Sequence, residues 1–201
     1  MRFPLSLPNI LTSMRIVLIP ILVVAFYFLP VEWRYMASAV IFTVAAITDW
    51  LDGYLARRLG QTTAFGAFLD PVADKLVVAV ALVLLVEVHA SAALAVPAIV
   101  IVGREIVVSA LREWMAQYSR MRSVTVSFLG KVKTTFQMIA IIVLLWCGPV
   151  SAVGDNPSVI LGYVLLYAAA ILTIWSMYQY LKLAWPDLSK GMNMPSKESD
   201  L

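Results

Sequence analysis

Asp49, Asp52, Asp70 and Asp74 crowd the stretch ITDWLDGYLARRLGQTTAFGAFLDPVADK, residues 47–75 of an otherwise apolar chain. A charge held in hydrocarbon costs about 2.5–3.5 kcal/mol on insertion scales, so four carboxylates there demand a ligand. Asp49, Asp52, Gly53 and Ala56 stand at i, i+3, i+4 and i+7, one stripe of a helix. Gly66, Asp70 and Asp74 stand at i, i+4 and i+8, again one stripe. The polar link RRLGQTT joins the two segments, so they are expected as antiparallel neighbours with facing carboxylates. No histidine or cysteine lies in the stretch, which argues against zinc. An all-oxygen donor set suits Mg²⁺, Mn²⁺ or Ca²⁺. Two such ions about 3.5–4 Å apart are a recurring device for in-line displacement at phosphorus. Gly53 and Ala56 remove bulk from the aspartate stripe, and Arg57 offers a fork of donors to a phosphate. Pro71 either opens the second of these helices, with Asp70 as its cap, or lies within it and kinks it.

The elements that must position these groups are membrane helices. The chain is 62% hydrophobic and 13% charged, about half the charge of a soluble domain, with mean hydropathy +0.89. A span needs roughly 20 apolar residues. Six candidates follow, near residues 7–29, 34–57, 64–88, 92–118, 126–146 and 159–184. The reading is an all-α, polytopic membrane domain over residues 1–184 and a polar, disordered tail over 185–201. Arg15 interrupts the first apolar run and no small-residue cleavage site follows it, so that run is read as a retained helix rather than a signal peptide. With six spans, Arg2, Arg57, Arg58, Arg120, Arg122, Lys131, Lys182, Lys190 and Lys197 share one face, against Arg34 and His89 on the other. The positive-inside rule then puts both termini, and the aspartates, on the cytoplasmic side. A single cysteine, Cys147, excludes an internal disulfide.

The pattern Asp49-x2-Asp52-Gly53-x2-Ala56-Arg57-x8-Gly66-x3-Asp70-x3-Asp74 resembles the signature of the CDP-alcohol phosphatidyltransferases at every position. PNILTSMRIVLIP, GREIVVSALREWMA and GKVKTTFQM extend the likeness along the chain, toward bacterial members that use sn-glycerol 3-phosphate. The resemblance implies a homodimeric enzyme of the cytoplasmic membrane that transfers the phosphatidyl group of CDP-diacylglycerol and releases CMP. It implies that Asp49, Asp52 and Asp70 hold Mg²⁺ or Mn²⁺, two ions in all. Asp74 matches the family's general base, which also reaches a metal. Gly53, Arg57 and Gly66 match positions that hold the CDP moiety, with Ala56 beside them.

A glycerol 3-phosphate pocket should be basic. Arg104 and Arg112, at i and i+8, share a helix face, and Lys131 and Lys133 open the next helix. These four are the natural phosphate ligands. For the lysines, membrane topology alone is a competing reason for positive charge. Asn9 and Thr12, at i and i+3, are placed to bond the cytosine or ribose, and plain helix capping by Asn9 is the alternative. Trp50 sits at a position that the signature leaves free.

Other readings are serine, inositol phosphate or a second phosphatidylglycerol as acceptor. The basic residues argue against serine. A divalent-cation transporter would also bury carboxylates, but near the midplane on broken helices. Nothing in the pattern suggests a nucleic-acid partner.

Overall fold

The computed structural model describes residues 7–59, 64–118, 128–149 and 156–191. These form six helices: α1 (Leu7–Phe28), α2 (Val31–Leu59), α3 (Ala64–His89), α4 (Ala92–Tyr118), α5 (Phe128–Cys147) and α6 (Pro157–Gly191). No strand occurs among the described residues. The all-α class and the order of helices follow the sequence reading closely.

Local chemistry sets the boundaries. Ser91 Oγ accepts the Ala93 amide at 3.2 Å and caps α4. Asn156 Oδ1 accepts the Ser158 amide at 3.0 Å, ahead of α6 with Pro157 at its first position. Gly148, at φ +63°, closes α5 by donating its amide to the Leu144 carbonyl. α3 begins before Pro71 and runs through it. Asp70 is therefore no cap, and the ring removes the hydrogen bond to the carbonyl of residue 67. α6 continues past residue 184 to Gly191, so residues 185–191 of the expected disordered tail are helical. Polar composition marks a segment as solvated, and that does not stop a helix. Residues 192–201 lie outside the described residues, as do Arg2, Arg120 and Arg122 of the expected charged face.

The packing corrects one expectation. α2 and α3, neighbours in sequence, touch each other little; α1 packs against both. A short link allows two helices to be adjacent, but the apolar faces of both find α1. One core runs through all six helices, from Leu22 and Phe26 on α1 through Phe42, Leu82, Leu94 and Ile141 to Leu166 on α6. The outside is apolar as well, with Phe28, Phe68, Ile99, Ile106 and Ile171 exposed. An apolar exterior this extensive belongs against lipid. Among the described residues, four helices are long and apolar enough to cross a membrane, with spans Ile10–Phe28, Val31–Leu55, Ala92–Met115 and Pro157–Lys182. α5 contributes the shorter apolar stretch Val132–Cys147.

Candidate active site

Arg15 is the centre of the aspartate cluster. It lies on α1 and is wholly buried, at 0% exposure. Its Nη1 pairs with Asp49 Oδ1 at 2.9 Å and with Asp74. Its Nη2 pairs with Asp52 Oδ2 at 2.5 Å. One turn earlier, the buried Thr12 Oγ1 donates to Asp70 Oδ1 at 2.5 Å and lies 3.4 Å from Asp52 Oδ2. The stripes of α2 and α3 therefore do converge, through side chains of α1 wedged between them. Arg15 is the residue that the sequence reading left out of the site. The signal was present: an arginine in an apolar run needs counter-charges, and it stands one turn from Thr12 on the same face.

The donor set fits a hard divalent cation in its chemistry. Four carboxylates against one guanidinium leave a surplus of negative charge, and every donor is oxygen. Among the described residues, no three acidic, histidine or cysteine side chains already stand as a metal-ligand group. What the four carboxylates share is the Arg15–Thr12 pair.

A cavity of about 600 Å³ opens beside the cluster. Asp49, Asp70 and Asp74 line it, with Lys75 next to them. Arg104, Glu105, Ser109, Arg112 and Glu113 of α4 also line it, together with Thr134 and Gln137 of α5. Arg104 is buried, pairs with Glu105 and donates Nη2 to Ser176 Oγ at 3.4 Å. Arg112 donates Nη2 to the Tyr180 hydroxyl at 2.8 Å. Arg104 thus already has a neighbouring glutamate as partner, and both arginines line the cavity.

Lys133 differs from expectation. It is buried, its Nζ has no hydrogen-bond partner, and it does not line the cavity. Its charged neighbours are Arg104, Glu105 and Arg112. Gly53 is half-buried on α2 and Gly66 is buried on α3. Asn9, Ala56, Arg57 and Lys131 belong to helices α1, α2, α2 and α5, and their side chains lie outside the described residues. Trp50 is exposed and stacks on Tyr54, with ring centroids 5.9 Å apart.

Similarity to known proteins bears on this arrangement directly. Residues 5–175 match the CDP-alcohol phosphatidyltransferase family. A Pseudomonas fluorescens protein named CDP-diacylglycerol–glycerol-3-phosphate 3-phosphatidyltransferase is 55% identical over 185 residues, covering 92% of each chain. Proteins of the same name from Yersinia enterocolitica and Salmonella choleraesuis are 53% and 52% identical, each over 97% of its own length. With the signature aspartates gathered at one end of a six-helix bundle, beside a cavity walled by two arginines, the chain belongs to the CDP-alcohol phosphatidyltransferase family.

Proposed function

We propose that this protein transfers the phosphatidyl group of CDP-diacylglycerol to sn-glycerol 3-phosphate, giving phosphatidylglycerophosphate and CMP. The observation that carries this is one cavity lined both by Asp49, Asp70 and Asp74 and by Arg104 and Arg112, with Glu105 and Glu113 beside the arginines. The names of relatives above 50% identity support the choice of substrates. All six helices cross the bacterial cytoplasmic membrane in this reading, with both termini and the site on the cytoplasmic side. The working form is a homodimer, and residues 1–184 form the membrane domain.

In this account Asp49, Asp52, Asp70 and Asp74 hold Mg²⁺ or Mn²⁺, two ions in all. When bound, the metal neutralises diphosphate charge and stabilises CMP as the leaving group. The chain's own residues do the rest. Asn9, Thr12, Gly53, Ala56, Arg57 and Gly66 hold the CDP end of the lipid. Arg104 and Arg112 take the acceptor phosphate and fix its hydroxyl near the aspartates, and Lys131 and Lys133 add positive charge to that acceptor site. Asp74 removes the proton from that hydroxyl as its oxygen bonds to the lipid-side phosphorus and the bond from that phosphorus to CMP breaks. Asp74 suits the task because it lines the cavity while Arg15 fixes its position. Binding both reactants in one cavity also supplies proximity.

The test offers one labelled acceptor at a time. Purified protein in lipid nanodiscs receives CDP-diacylglycerol, Mg²⁺ and radiolabelled glycerol 3-phosphate, inositol phosphate or serine. Labelled lipid from glycerol 3-phosphate is expected. Product only from inositol phosphate would overturn the choice of acceptor, and no product from any would overturn the activity.

A further inference from the structure

α4 and α6 pack side by side, and the contact is polar where it meets the cavity. Ser176 and Tyr180 stand one turn apart on α6, so they share a face. Each meets one arginine of the cavity wall. Arg104 Nη2 donates to Ser176 Oγ at 3.4 Å, while Ser176 Oγ donates its own hydrogen to the Thr173 carbonyl at 3.0 Å. The serine hydroxyl is thereby oriented as an acceptor. Arg112 Nη2 donates to the Tyr180 hydroxyl at 2.8 Å, and its Cζ lies 5.1 Å from the centroid of the same ring. Tyr180 thus holds one guanidinium through both a hydrogen bond and its π face.

We infer that Tyr180, and more weakly Ser176, are positioning residues that preset Arg112 and Arg104 for the acceptor's phosphate. This rests on the reading of that wall as the acceptor side. Arginine carries large rotamer entropy, and a side chain already pinned by the fold does not lose it again on binding. Both hydroxyls occupy a donor facing α6; Arg104 also gives Nη1 to Glu105, so Arg112 is the arginine of the pair that turns more of its fork to the ligand. An α6 face that otherwise reads as lipid-facing or packing surface therefore sets acceptor affinity without touching the acceptor.

Steady-state kinetics with both substrates varied tests this. Tyr180→Ala should raise KM for glycerol 3-phosphate about tenfold, the scale of a lost charged hydrogen bond. KM for CDP-diacylglycerol should not move, and kcat should stay within about twofold. Tyr180→Phe keeps the ring and loses only the hydroxyl, so it should recover part of the loss. Ser176→Ala should show a smaller rise in the same constant. In an Arg112→Ala background, Tyr180→Ala should add nothing, because a positioning residue has nothing left to position. An unchanged KM for glycerol 3-phosphate in Tyr180→Ala, equal effects on both substrates, or full additivity with Arg112→Ala would overturn the inference while leaving the function standing. Wild-type protein that turns over no phosphorylated acceptor would overturn both.

Discussion

Replacing Arg15 with methionine should destabilise the protein more than any other single change at the site. Methionine keeps the length of the side chain and removes its charge. Three carboxylates then lose their partner, and they do not count equally. The Asp52 side chain is 5% exposed, whereas those of Asp49 and Asp74 are 39% and 42% exposed. Stranding a buried charge costs about 3–5 kcal/mol. A partly exposed pair is screened by solvent and contributes roughly 0.2–1 kcal/mol. The sum is about 3–7 kcal/mol. On the scale of soluble chains of 150–250 residues, about 2–4 °C per kcal/mol, even the lower bound moves the thermal midpoint by roughly 6–12 °C. The assay is thermal unfolding in detergent with EDTA, read by tryptophan fluorescence. Adding Mg²⁺ should recover much of the shift, since a divalent ion supplies the missing positive charge. Arg15→Lys should fall between, because a point charge cannot fork to carboxylates on two helices. A methionine variant within about 2 °C of wild type in EDTA would refute the view that Arg15 holds the cluster, as would a large shift that Mg²⁺ leaves untouched.

Further outcomes can be checked with the same preparations. Asp74→Asn should lower kcat by about 10²–10⁴-fold while sparing most binding of CDP-diacylglycerol in nanodiscs; near-normal turnover would remove Asp74 from the base role. Lys133→Met removes a buried, partnerless amine, so the thermal midpoint should hold or rise while KM for glycerol 3-phosphate increases. Gly162→Ala would put a Cβ 2.7 Å from Leu144 Cγ in the α5–α6 packing, and Leu144 is fully buried. It should cost about 1–3 kcal/mol, seen as a lower thermal midpoint with kcat retained at low temperature.

Sequence and structure agree most where one helix suffices. The aspartate stripes, the six helices and the Arg104–Arg112 face follow from spacing within single segments. The six helices appear near the expected residues, four of them long and apolar enough among the described residues to cross a membrane, and one cavity is lined by Asp49, Asp70, Asp74, Arg104 and Arg112. What required two or more helices was harder to read. The wedge of α1 between α2 and α3 is set by which apolar faces fit together, and the short link between α2 and α3 points elsewhere. Arg15 was half legible, since its burial cost announces a partner without saying which. Ser176 and Tyr180 were not legible at all. A hydroxyl on an apolar helix serves packing, a backbone carbonyl or a distant arginine equally well until the fold brings α6 beside α4.

The central claim is a direct, metal-dependent transfer between two substrates in one cavity. It is tested most directly by measuring CMP released and labelled lipid formed in a single reaction of CDP-diacylglycerol with radiolabelled glycerol 3-phosphate. The account predicts equal amounts of the two products with Mg²⁺ or Mn²⁺ and neither with EDTA. CMP released without labelled lipid, or labelled lipid formed at full rate in EDTA, would contradict it.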